Sequence, residues 1–256
     1  MAATIKHMPE IDFLSATVIV FALALGGTIK GATGAGAPVV AVPVIAAFFD
    51  VRIAVIIMAT PNFLTNIRQL WKYWPHRLHN GFDVRFAVSG AAGAILGTLF
   101  LANFPISILT LGVAITVTAY VLLRVLHSEF RISQSRAWRL AFPAGLTAGI
   151  LQGAAGISAP VSVSFLNAIR LERPTFIATI SAFFIAMSLV QLPTLALTGL
   201  MTAELFALSL LAVLPILAFM PFGAWLANKL SAEGFDRLVL VMLSILAIRL
   251  LYVALF

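Results

Sequence analysis

The sequence predicts an all-α integral membrane protein made of two inverted repeats, each a glycine-broken helical hairpin followed by three transmembrane helices. Three observations carry that reading. Hydrophobic residues are 62% of the 256 and charged residues only 10%, with a mean hydropathy of +1.09, too apolar for a water-facing surface. The apolar residues gather in stretches of about 20, the length a bilayer-crossing helix needs, without the alternation of a β-barrel. A thirteen-residue motif also occurs twice in register.

That motif sets the organisation. Residues 27–39 align without gaps to 149–161, and seven pairs are identical: Gly27/Gly149, Gly31/Gly153, Ala32/Ala154, Gly34/Gly156, Ala37/Ala159, Pro38/Pro160 and Val39/Val161. At the same offset Gln69 falls on Gln191. A repeat of this kind implies two homologous halves, 1–128 and 129–256. The first should hold a helix near 11–31, a break, a short piece at 38–49, then helices near 52–73, 83–103 and 105–127. The second repeats the series near 137–153, 160–170, 173–198, 203–228 and 235–256. The run 13–25 has no basic residues before it except Lys6, set against Glu10 and Asp12, so it reads as a retained helix and not a cleaved signal.

The short pieces decide the topology. At 1.5 Å per residue, 38–49 gives about 18 Å of helix against a hydrocarbon core of about 30 Å. Each therefore packs as the second arm of a hairpin, re-entrant or barely spanning. Three further crossings then remain per half, and an odd number inverts the second half. Loop charge agrees: Arg68, Lys72, Arg77 and Arg85 flank a loop whose counterpart, 198–203, has no Lys or Arg. Conversely 103–105 is uncharged where its counterpart holds Lys229 and Arg237. This arrangement places twelve of the 16 basic residues in the cytoplasm and both termini outside. The net charge of +7 is accordingly loop charge and not a nucleic-acid surface.

A helix broken inside hydrocarbon exposes backbone N–H groups, which is tolerated where protein or a water-filled cavity meets them. Paired breaks in two halves point to a transport site. Gly31, Gly34 and Gly36 permit the first break; Gly153, Gly156 and Ser158 the second. Pro38 and Pro160 suit the first turn of a new helix, whose N-terminus favours an anion. The competing reading makes Gly27/Gly31, Gly145/Gly149/Gly153 and Gly93/Gly97 close helix-packing contacts, and for Gly93/Gly97 packing is the expectation.

Lys30 lies in the first break where the second half has Gln152. An intramembrane lysine either snorkels to the interface or meets an anion. Asn62, Thr65, Asn66 and Gln69 form one polar stripe at helical spacing, and Ser181, Ser188 and Gln191 another. Such stripes either bond neighbouring helices or line a polar path. Asp12, Asp50, Glu172 and Glu204 fall at segment ends, and His7, His76, His79 and His127 in flanking regions. Carboxylate proton carriers, metal clusters and catalytic triads are thus not expected, and with no cysteine there is no thiolate chemistry. No cofactor and no enzymatic activity are expected.

The twice-occurring glycine-rich break followed by proline, at 31–43 and 153–160, resembles the sulfite exporter TauE/SafE family of membrane transporters, and the segment layout extends the likeness over most of the chain. The resemblance implies carriage of a small sulfur-containing anion, a sulfite or organosulfonate, across the bacterial inner membrane. Ala37 and Ser158-Ala159 stand where that family usually has consecutive glycines, and Lys30 where it usually has an uncharged residue. The expected partners are a small anionic substrate and the lipid bilayer, with oligomeric state left open. The expected site comprises Lys30, Gly31, Gly34, Gly36, Asn62, Asn66, Gln69, Gln152, Gly153, Gly156, Ser158, Ser188 and Gln191. The alternative is a carrier or channel for a metal cation, which would call for intramembrane carboxylates or carbonyl cages.

Overall fold

The computed structural model describes residues 12–78, 81–126, 131–227 and 229. Their secondary structure is helical: α1 (Phe13–Thr33), α2 (Ala37–Phe48), α3 (Val51–Tyr73), a 3-10 turn at Trp74–His76, α4 (Phe82–Asn103), α5 (Ile106–Leu126), α6 (Gln134–Ala155), α7 (Ala159–Ala168), α8 (Arg173–Leu197), α9 (Ala203–Leu211) and α10 (Val213–Leu226). Four segments are long and apolar enough to cross a membrane: α1, α4, α8 and Ala203–Leu226. The segment expected at 235–256 lies outside the described residues, as do Lys6, His7, His79 and His127.

The helix ends follow from local chemistry. Asp12, Asp50 and Thr202 cap α1, α3 and α9 by accepting the backbone N–H of Ser15, Ile53 and Leu205 at 2.9, 2.8 and 3.2 Å. α1 and α6 stop at Gly34 and Gly156, which take left-handed conformations with φ of 87° and 70° that an L side chain disfavours. Pro38 and Pro160 then sit in the first turns of α2 and α7. With 12 and 10 residues, those helices reach about 18 and 15 Å, too short for a bilayer core.

The helix expected over 203–228 is divided at Ala212. Pro215 explains the division, because it has no N–H for the Leu211 carbonyl and its ring crowds that carbonyl. In α3, Pro61 leaves the Ile57 carbonyl without a helical donor, and the Ser209 hydroxyl on α9 donates to it at 2.9 Å. That helix therefore stays continuous.

Burial is reversed relative to a water-soluble protein. Lys30, Asn62, Thr65, Asn66, Gln69, Gln152, Ser181, Ser188 and Gln191 are buried, while Phe21, Val88, Leu189, Leu197, Leu214 and Phe222 are exposed. An apolar exterior, with polar side chains buried inside among the apolar core, is what a lipid solvent selects. At the end of the bundle where α3 finishes and α4 and α6 begin, Arg77 lies over the Trp74 ring at 4.1 Å and Arg85 over Trp138 at 4.2 Å. Cationic and aromatic groups of this kind suit a membrane interface.

Two pairs of helices approach backbone to backbone. A Cβ added at Gly27, Gly31 or Gly223 would collide with the backbone of Ile216, Met220 or Thr28, so α1 and α10 touch without intervening side chains. Between α4 and α6 the same holds for Gly93 against Leu146, Gly97 against Ile150, and Gly149 and Gly153 against Gly90 and Ala94. The offset that carries Gly31 onto Gly153 also carries Thr98, which Gly153 meets, onto Met220, which Gly31 meets. Gly93 and Gly97 thus pack as expected.

Candidate anion site at the paired helix breaks

The first break is built around Lys30, one turn before α1 ends. The Gly34 N–H closes the helix on the Lys30 carbonyl at 2.8 Å, and the lysine side chain turns inward, 1% exposed. Its Nζ donates to Asn66 Oδ1 at 2.8 Å and lies 5.5 Å from the centre of the Phe184 ring. Lys30 does not snorkel, and among the described residues no carboxylate pairs with it. A lysine held in this way is costly to keep charged in a low-dielectric interior, and an anionic guest would offset that cost.

Asn66 is oriented from below by its own helix. Its Nδ2 donates to the Asn62 carbonyl at 2.5 Å and to Asn62 Oδ1 at 3.0 Å, which turns its oxygen toward Lys30. Gln69, one turn on, donates from Nε2 to the Lys30 carbonyl at 3.4 Å. Asn66 and Gln69 of the α3 stripe therefore face the first break, with Asn62 holding Asn66 and Thr65 bonded to the Pro61 carbonyl of its own helix.

The second break repeats this backbone arrangement. Gly156 closes α6 on the Gln152 carbonyl at 2.9 Å, and Gln191 Nε2 donates to that same carbonyl at 3.4 Å. Ser158 precedes α7 and its hydroxyl meets that of Ser162 at 3.2 Å. Neither α2 nor α7 has a side-chain cap at its N-terminus. The offset between the halves lays Asn66 on Ser188 and Asn62 on Phe184.

Among the described residues, seven buried side-chain atoms on α3, α6 and α8, the helices that meet at the breaks, have no hydrogen-bond partner: Thr60 Oγ1, Asn62 Nδ2 and Gln69 Oε1 on α3, Gln152 Oε1 on α6, and Thr179 Oγ1, Ser181 Oγ and Ser188 Oγ on α8. Leaving one such group unmet costs about 1–3 kcal/mol, so a polar guest that reached them would recover part of that cost. Hydroxyl and amide donors beside one ammonium are chemically suited to a small anion with several acceptor oxygens.

The predicted residues divide into groups. Lys30, Asn62, Asn66 and Gln69 come together directly, and Gln152 with Gln191 form the equivalent pair. Gly34, Gly36 and Gly156 make the turns, with Gly36 at φ 106°. Gly31 and Gly153 instead face the backbones of α10 and α4, a packing position. Phe184, Thr60, Thr179 and Ser162 were not singled out by sequence. For Phe184 the signal was present, since the repeat places it opposite Asn62. Arg173 is a further addition: its guanidinium donates to the Ala32 carbonyl at 2.8 Å and closes the C-terminal end of α1.

No curated protein and no solved structure matches the chain. The family model for the sulfite exporter TauE/SafE matches residues 19–250, nearly the whole chain and both breaks. With apolar helices outside and a polar, lysine-bearing seam within, the chain belongs to the sulfite exporter TauE/SafE family of membrane transporters.

Proposed function

We propose that this chain is a secondary transporter that moves a small sulfur oxyanion, an organosulfonate or sulfite, across the bacterial inner membrane by alternating access. The observation that carries the reading is Lys30: among the described residues its buried amine has one hydrogen-bond partner, the Asn66 amide oxygen, and the helices it touches, α3 and α8, carry unpartnered donors. An oxyanion bound there would neutralise the charge and meet several of those donors together. The N-termini of α2 and α7, both without side-chain caps, add partial positive charge. The step from oxyanion to sulfur oxyanion is supported by family membership.

The two halves, 1–128 and 129–256, are read as inverted repeats. Support comes from the complementary loop charges and from the recurrence of the glutamine-to-carbonyl contact at each break. A metal-cation carrier is the competing reading, and a bare ammonium at the site opposes it electrostatically. Counterflow in proteoliposomes tests the choice with labelled sulfite, a two-carbon sulfonate and a panel of cations. Exchange of a sulfur anion is expected. Cation exchange with no response to either sulfur anion would refute the reading.

A further inference from the structure

We infer that Gln152 fixes how many charges the site accepts, so that the site takes singly charged oxyanions, an organosulfonate or sulfite in its hydrogensulfite form, and rejects doubly charged ones of the same shape. The inference rests on the anion-carrier reading and adds a specificity to it. Lys30 and Gln152 occupy matched backbone positions: each carbonyl accepts the N–H of a left-handed glycine, at 2.8 and 2.9 Å, and a glutamine Nε2 at 3.4 Å. What differs is the side chain, an ammonium in one half and a neutral amide in the other.

The remaining cations near the breaks are committed or exposed. Arg173 is exposed and donates to the Ala32 carbonyl, and Arg52 donates to the carbonyls of Leu101 and Phe104 at 2.9 and 2.6 Å. On α3, Arg68 and Lys72 are exposed, as are Arg136 and Arg139 on α6; α2, α7 and α10 contain no Lys or Arg. Among the described residues, Lys30 is therefore the one buried cation at the breaks without a backbone carbonyl partner. A second negative charge on the guest would lie unpaired in a low-dielectric interior, close to an unpartnered carbonyl oxygen at Gln152 Oε1. The unpartnered Ser188 hydroxyl, which the repeat sets opposite Asn66, can donate one hydrogen bond but brings no charge.

Methanesulfonate and sulfate are tetrahedral, similar in size, and differ by one charge. Their binding to the purified full-length protein, measured by calorimetry and thermal shift, tests the inference. Sulfate should bind about a hundredfold more weakly than methanesulfonate, the order expected for an unpaired charge in a dry site. In Gln152→Lys that gap should close by about tenfold or more, because a second ammonium meets the second charge. The exchange variant Lys30→Gln/Gln152→Lys keeps a single ammonium and should keep the methanesulfonate preference; it also serves where the single variant does not fold. Equal binding of the two anions by the unmodified protein would overturn the inference and leave the anion-carrier reading standing. An unchanged gap in folded Gln152→Lys would overturn the assignment to Gln152. Binding of neither anion would overturn both readings.

Discussion

The Ser209 hydroxyl donates to the Ile57 carbonyl at 2.9 Å and accepts the Thr60 N–H at 3.2 Å, filling the gap that Pro61 opens in α3. Ser209→Ala should cost about 1–3 kcal/mol, the range for a buried carbonyl left unmet. In a Pro61→Ala background the new N–H returns to Ile57, and the same substitution should cost less. Unfolding followed in detergent for all four proteins gives the coupling; equal costs in the two backgrounds would refute it.

Lys30→Gln should weaken anion binding by about 1–3 kcal/mol and leave the protein folded. Lys30→Met should raise the unfolding temperature, since an apolar side chain replaces a buried unpaired ammonium. The same variant should lose the stabilisation that added anion gives the parent. A full anion-induced thermal shift in Lys30→Met would remove Lys30 from the site.

Glycines that look alike in sequence should respond in opposite ways. Gly31→Ala drives a Cβ into the Met220 backbone and should cost more than about 2 kcal/mol or prevent folding. Gly112, in the middle of α5, has nothing within 4 Å of an added Cβ, so Gly112→Ala should stabilise by roughly 0.5–1 kcal/mol. Relative unfolding temperatures check both signs.

With no native cysteine, the chain is a clean background for reporter thiols. Single cysteines at Asn80 and Ser133 should be protected from an impermeant reagent added outside intact cells, and one at Gly199 should react. Outside labelling at position 80 would defeat the inverted arrangement.

The helix bounds were legible because glycine, proline and the capping residues Asp12, Asp50 and Thr202 encode them locally. The division at Ala212 was not, because a proline such as Pro215 inside an apolar run is compatible with either a kinked or a broken membrane helix. The α3 stripe was legible from helical spacing, since polar residues stand out in an apolar segment. Phe184 did not stand out by residue type among the apolar residues of α8, and only its alignment with Asn62 in the repeat marked the position that packs beside Lys30. The glycines were ambiguous for a different reason: a break and a close crossing ask for the same residue, and only the neighbouring backbone separates Gly34 from Gly31.

The glycine crossings also constrain which parts of the molecule can travel together. Each ties a helix from one half of the chain to a helix from the other: α1 to α10, and α4 to α6. Backbones seated this closely cannot slide without losing the whole contact, so in a carrier that alternates its exposure the sliding planes do not follow the midpoint of the sequence. They would run instead along the faces of α3 and α8, where among the described residues several polar atoms lack partners. A disulfide engineered between α1 and α10 should leave transport intact, whereas one between α1 and α8 should stop it. Lys30 rides on one tied pair and Gln152 on the other, so a movement of one pair against the other would change the distance between these two side chains.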